Sequence, residues 1–183
     1  AQPRPGHADY TGLVRFGGYN DPRGGGHFSG RLTAPLVFAG ALCKLYLKTK
    51  GISVGAHIQS IAQIQDTPFD DIEVSAEQLE QLCNQPYPVI NPLAEKAMLA
   101  AIEEARMDGD SVGGVIECTA VGMPAGLGSP MLDTVEGRLS SLLFSVPAVK
   151  GMEFGVGSGS AEVRGPHAND AFTLAEGEKV LTE

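Results

Sequence analysis

Apolar residues at Phe38, Ala39, Leu42, Leu45 and Tyr46 recur at the spacing of one helical face, within a helix-forming run over residues 36–50. Thr33 stands where an N-cap belongs, Pro35 suits a first turn and Gly51 closes the run, so a helix is predicted there. The period then changes. Ile52, Val54, Ala56, Ile58, Ser60, Ala62 and Ile64 alternate with Ser53, Gly55, His57, Gln59 and Gln63, which predicts a strand with His57 exposed on its polar face. Ser75 and Gln78 form a capping-box pair ahead of a short helix ending near Asn84. Beyond the turn-like segment YPVINP, Asn91 caps a longer helix, with Pro92 at its first position and Gly109 past its end. A second long strand is predicted over residues 110–121, interrupted by Gly113-Gly114. Asp133 and Glu136 resemble a capping pair before a helix whose Val135, Leu139, Leu142 and Leu143 form one stripe. Residues 149–156 read as a strand that residues 161–164 continue, and residues 1–31, rich in glycine, proline and aspartate, read as loop. This order of helices and strands points to an α+β or a layered α/β domain.

Composition narrows the class. With 183 residues, 43% of them hydrophobic and 19% charged, the chain can build one domain with a real core. No run of about 18 apolar residues exists, so no membrane span is expected. The opening AQPRPGHADY does not read as a secretory signal. Cys43, Cys83 and Cys118 are an odd set without C-x-x-C spacing. The apolar neighbours of Cys43 and Cys118 predict buried free thiols in a reducing compartment, and no metal site is expected. Net charge is −9, but it is divided unevenly, with net +5 over residues 1–50 and net −14 over residues 51–183. Nucleic-acid-binding domains are usually basic as a whole. An acidic chain with one basic region suits a focused pocket for a small anion better.

That basic region is chemically dense. Arg4, Arg15, Arg23 and Arg31 stand with His7 and His27 around Gly24-Gly25-Gly26. Arginine presents a fork of donors that fits carboxylate and phosphate oxygens two at a time. Histidine titrates nearest neutrality, and glycines let backbone N–H groups approach a ligand. The set reads as a receptor for a multiply anionic small molecule with acid–base chemistry nearby; a solvated basic face is the other reading. Gly113-Gly114 and GMPAGLG are followed by no G-K-[ST], which excludes a P-loop, and the missing G-x-G-x-x-G argues against a dinucleotide fold.

The same residues resemble a known family. Arg4-Pro5-Gly6-His7-Ala8-Asp9, the Gly24–Arg31 stretch GGGHFSGR, the segment DSVGGVIECTAVGMPAGLGSPMLDTVEGRLSSLLFSVPAVKGMEFG and GPHAND are similar, in that order, to motifs of chorismate synthase. The resemblance runs over nearly the whole chain. It implies an α+β fold of a particular kind, a layered β-α-β sandwich with helices packed between mainly antiparallel sheets. It also implies that residues 1–183 are the central part of a single domain, with residues 1–31 as substrate and flavin loops and residues 32–183 as helix-strand core. Family members are longer at both ends, so an incomplete core fragment, inactive alone, is expected.

The reaction implied is the elimination of phosphate and a ring proton from 5-enolpyruvylshikimate 3-phosphate to give chorismate, on reduced FMN, at the end of the shikimate pathway. The resemblance makes His7 the catalytic residue and Arg4 and Arg31 the substrate-binding ones. It makes His27, Phe28, Ser29, Pro147 and Ala148 flavin contacts, although His27 replaces an arginine, Phe28 a serine, Gly30 an alanine and Leu32 a glutamate of the family pattern. Asp9 either orients His7 or caps a turn. Arg15, Arg23, His167, Asn169 and Asp170 receive no role in binding or catalysis. The electron source stays open between internal reduction, with NADPH as donor, and external supply. A cytoplasmic homotetramer, with neither nucleic acid nor membrane as partner, is implied for the full-length enzyme. A non-catalytic anion-binding module and an assembly fragment of the same fold are the alternatives.

Overall fold

The computed structural model describes residues 2–70, 73–165, 172–175 and 178–181. His167, Asn169 and Asp170, singled out in the sequence, lie outside the described residues. The chain forms two compact units. One comprises residues 1–43 and 125–163; the other comprises residues 44–124 and 164–183. Helices occur in both units and antiparallel sheets in the second, so the fold class is α+β as expected.

In the first unit, residues expected to be loop contain a helix, α1 (Asp9–Arg15). Asp9 favours its first turn and Arg15 its last, by the sign of the helix dipole. Two short 3-10 turns follow, at Arg23–Phe28 and Gly30–Leu32. Helix α2 (Thr33–Lys48) contributes to both units. Thr33 is already inside it rather than at the cap, and its hydroxyl donates to the Gly30 carbonyl at 2.6 Å. None of its residues is buried, and the expected core-facing Phe38, Leu42, Leu45 and Tyr46 are exposed. The helix is apolar around most of its circumference, so its pattern selects no single inner face. Helix α5 (Val135–Leu143) forms where expected, but its cap is Thr134, whose Oγ1 accepts from Gly137 N–H at 3.0 Å. Asp133 instead binds Arg138. No strand forms over residues 149–156, and a 3-10 turn at Gly157–Glu162 occupies the first half of the expected continuation. Gly155 and Gly157 both take positive φ, which breaks the extended run.

The second unit holds the apolar core. The expected long strand is a hairpin of β1 (Ser53–Ile61) and β2 (Ile64–Gln65), turned at Ala62 with φ 51°. Next come α3 (Ala76–Cys83), capped by Ser75, and α4 (Pro92–Met107), capped by Asn91, both as expected. Strand β3 (Gly114–Val121) begins at the second glycine of its pair. The sheet order is β2-β1-β3, all antiparallel, and β1 pairs with β3 from Ser53 opposite Val121 onward, with a register irregularity between Ile58 and Ser60. A separate hairpin joins β4 (Phe172–Ala175) to β5 (Glu178–Leu181). Phe69, Leu79 and Leu82 form one buried cluster; Val89, Ala94 and Met98 form another.

The alternation along β1 identified its faces but assigned their burial wrongly. Gly55 and His57, on the face read as polar, are buried, and His57 is only 1% exposed. A Cβ on Gly55 would come within 2.8 Å of the Leu79 Cβ, so the glycine admits α3 against the strand. His57 is paired on both sides. Its Nδ1 lies 2.9 Å from Asp66 Oδ2, and its Nε2 lies 2.7 Å from Glu117 Oε2, directly opposite on β3. An imidazolium donates from both nitrogens and satisfies this arrangement. Asp66 also accepts from the N–H groups of Ile90 (2.6 Å) and Asn91 (2.8 Å), while Glu117 accepts from Phe69 N–H (3.0 Å). The Phe69 ring meets His57 edge-on with centroids 4.6 Å apart.

All three cysteines are free, and all three are exposed residues rather than the buried ones expected for Cys43 and Cys118. Cys43 sits on the uncovered helix α2 and Cys118 on β3. Burial nonetheless pushes the Cys118 thiol up, with Lys44 opposing.

The buried cluster makes stability depend on acid. Burial alone would raise the Asp66 carboxyl, but the N–H groups of Ile90, Asn91 and Thr67 and the His57 ring outweigh it, and the net shift is downward. A carboxyl with a lowered folded value stabilises the fold above its unfolded value, near about 4, and that contribution is lost as pH falls through the folded value. Asp66→Asn should therefore destabilise the protein at pH 7 and flatten its loss of stability below about pH 4, read by urea unfolding at several pH values. His57→Leu leaves the fully buried Asp66 without its side-chain partner and should cost about 3 kcal/mol or more at pH 7. Glu117→Gln should cost less than His57→Leu, because the Glu117 side chain keeps 28% of its exposure.

Candidate active site

One cavity of about 690 Å³ collects residues from three separated stretches of the first unit. Arg4, His7 and Asp9 come from the start of the chain and the first turn of α1. Gly24, Gly25, His27, Phe28, Ser29 and Gly30 come from the glycine-rich turns. Residues 144–150 form the wall beyond α5. The volume suits a cofactor-sized ligand.

The glycine run shapes its side by backbone conformation. Gly24, Gly25 and Gly26 all take positive φ, at 59°, 82° and 52°. A Cβ on Gly26 would collide with the Asp21 carbonyl oxygen, so no other residue fits there. Ser29 caps the next turn by accepting from Arg31 N–H at 3.4 Å. The Phe28 ring packs over Gly12, the one buried residue of this unit among the described residues; a Cβ there would stand 2.7 Å from the ring. Phe16 on the chain leaving α1 lies 6.4 Å from the His27 ring and 6.5 Å from the Phe28 ring, centroid to centroid. Helix α1, which the sequence pattern did not reveal, thus lies against His27 and Phe28, two of the four departures from the family pattern that the resemblance implies. The only advance sign was Asp9 and Arg15 flanking Leu13 and Val14, too short a run for periodicity to register.

The charged groups are arranged unequally. Arg4 binds Asp9 with Nε at 2.9 Å and Nη2 at 3.0 Å, and its backbone N–H donates to the same carboxylate at 3.0 Å. The Arg4 side chain and N–H hold Asp9 well below the usual carboxylate range. Three of the five guanidinium hydrogens remain for a ligand. His7 Nδ1 lies 3.0 Å from the Pro5 carbonyl, which only accepts, so this nitrogen carries a hydrogen and Nε2 is left without a protein partner among the described residues. Asp9 binds Arg4 rather than His7, which resolves its role as a staple for Arg4.

Arg31 is not on the cavity wall. A Cβ on Gly24 would stand 3.9 Å from its guanidinium, and Arg31 together with Arg23 holds Asp21 down, with the Arg23 hydrogen bonds the largest influence, to about 2. Pro147 and Ala148 do line the wall, and Ala148 takes φ 72°, a left-handed conformation rare for a residue with a Cβ. Lys150, assigned no role from the sequence, lines the wall as well. Among the described residues, no group of three or more histidine, cysteine or acidic side chains is placed to hold a metal.

Two glycines of the wall loop predict opposite outcomes. Gly26→Ala combines a backbone collision with a positive φ and should cost about 1–3 kcal/mol, with loss of ligand capture. Gly30→Ala has open space around the new methyl and an ordinary φ, and should leave the thermal midpoint and binding unchanged. Thermal unfolding of both variants, with flavin titration alongside, checks the contrast; equal behaviour would mean that the glycine run does not shape the cavity.

Similarity to known proteins places this cavity in context. Residues 1–182 match the family model described as chorismate synthase. The chorismate synthase of Thermococcus kodakarensis is 48% identical over 181 residues, covering 99% of this chain and 48% of that protein. That of Pyrococcus abyssi is 44% identical over 183 residues, covering 100% of this chain and 49% of the relative. A crystal structure of chorismate synthase superposes with a TM-score of 0.78 at 28% identity, over 96% of this chain and 55% of that one. The chain spans about half the length of the curated relatives it matches. On the family match and these identities, the chain belongs to the chorismate synthase family.

Proposed function

We propose that this chain carries a large part of the active site of a chorismate synthase, a lyase that converts 5-enolpyruvylshikimate 3-phosphate to chorismate with reduced FMN. One observation carries the reading. A single cavity gathers Arg4, His7, His27, Phe28, Ser29, Pro147 and Ala148, residues from distant parts of the sequence that the resemblance assigns to substrate, catalysis and flavin.

The wall suits a flavin. Its volume, the backbone opened by the left-handed glycines and the aromatic pair His27 and Phe28 offer room, N–H donors and ring contacts. His27, Phe28, Ser29, Pro147 and Ala148 would hold the cofactor. Reduced FMN, when bound, lends electron density while phosphate leaves, with no net oxidation. Arg4, aimed by Asp9, binds an anionic group of the substrate through its remaining N–H donors. Arg31 supplies a second guanidinium near the mouth of the glycine loop. His7 holds its Nδ1 hydrogen on the Pro5 carbonyl, so Nε2 is the atom that carries a proton to or from the reacting groups. The chain is read as the central part of one domain, and the complete enzyme as a cytoplasmic homotetramer that draws electrons from an external reductant or from NADPH. Among the described residues, no helix is long and apolar enough to cross a membrane.

Two assays test this. Because the chain spans half of its relatives' length, the chain alone should form no chorismate in an anaerobic assay with reduced FMN; turnover would show that half the family length suffices. Joined to the remainder of that length, the enzyme should turn over, and His7→Ala should lower the rate by about 10²–10⁴ with substrate affinity little changed. A rate within about threefold of the parent would make His7 structural and remove the catalytic assignment.

A further inference from the structure

The charge on the cavity wall does not balance. Asp9 is its one acidic residue among the described residues, and Asp9 is committed to Arg4 through two guanidinium hydrogens. Lys150 stands on the same wall and makes no hydrogen bond or ion pair among the described residues. Its ammonium is therefore free to meet a bound anion. The backbone that brings it there is also unusual. Val149 N–H donates to the Val146 carbonyl at 3.3 Å, closing a turn, and Ala148 inside that turn takes φ 72°. A residue with a Cβ disfavours this conformation, and such strain gathers at functional sites. Its result is that every residue from 144 to 150 lines the cavity, with Lys150 last.

We propose that Lys150 is a ligand-binding residue of this cavity, its ammonium pairing with a phosphomonoester of the bound ligand. An ammonium is a compact point charge that suits the broad face of a phosphate dianion. The flavin's ribityl phosphate and the substrate's ring phosphate share that chemistry. The inference rests on reading the cavity as a flavin and substrate site, and its test separates the two ideas.

The experiment compares the purified chain with Lys150→Gln and Lys150→Arg. FMN, riboflavin and 5-enolpyruvylshikimate 3-phosphate are titrated in turn, with flavin fluorescence and ³¹P resonance shifts as readouts. Lys150 is exposed, so Lys150→Gln should keep the parent's unfolding midpoint. If the flavin phosphate is the partner, Lys150→Gln weakens FMN about tenfold or more and leaves riboflavin unchanged. If the substrate phosphate is the partner, both flavins bind as before and the substrate weakens by the same factor. In either case Lys150→Arg retains most of the affinity, because the charge remains. Parent-like affinity of Lys150→Gln for all three ligands overturns the inference and leaves the cavity reading standing. Failure of the parent chain to bind FMN or substrate overturns both.

Discussion

A histidine buried between two carboxylates is the joint on which the larger unit depends. His57, Asp66 and Glu117 lie between two small apolar clusters and connect them. Phe69 belongs to one cluster, presses its ring on His57 and donates its N–H to Glu117. Asp66 takes the N–H groups of Ile90 and Asn91, immediately after Val89 of the other cluster and immediately before α4. The trio therefore sets the β1–β3 pairing, the path after β2 and the start of α4 at once. Neither cluster is large, so their relative position cannot be left to apolar contact alone. A fully satisfied polar network specifies one arrangement because any slip strands a buried donor or acceptor.

The unit that carries the cavity is stabilised by other means. Apart from Gly12, none of its described residues is buried. Its shape rests on backbone conformation, on helix caps such as Thr134, and on ion pairs between residues close in sequence, such as Arg4 with Asp9, Arg23 with Asp21 and Arg138 with Asp133. Exposed pairs of this kind contribute little energy each. Their value here is geometric, since each fixes one arginine in direction. Gly24 to Gly26 contribute conformations that other residues avoid, and Ala148 holds one despite its Cβ. The cavity is thus shaped locally.

Two of the four departures from the motif that the resemblance implies, Phe28 and His27, share a local setting. Phe28 replaces a small polar residue, and its ring needs the space over Gly12 that α1 provides. His27 replaces an arginine and packs near Phe16 at the end of the same helix. Gly30 replaces an alanine, yet nothing lies within 4 Å of where that methyl would stand. The wall sets the aromatic surface of His27 and Phe28 beside its fixed cations, Arg4 and Lys150.

The sequence by itself determined what depends on neighbours along the chain. The caps at Ser75 and Asn91, Pro92 at the first turn of α4 and the stop at Gly109 were legible because each is a contact within a few residues. Residue type alone made residues 4–31 a candidate for binding anions, and the family motifs pointed to residues 147 and 148, which line the same cavity as Arg4 and His7. Tertiary structure decided the rest. Period two along β1 separated its faces, but only α3 and Phe69 decided that His57 lies on the covered one. Residues 149–156 have the composition of a strand, but a strand exists only where a partner edge completes its hydrogen bonds. Helix α1 was hidden because a helix of seven residues is too short for its pattern to show. The commitment of Asp9 to Arg4, the place of Arg31 off the cavity wall and of Lys150 upon it were likewise decided in space. Charge balance in a cavity is a property of distances, and a sequence contains none.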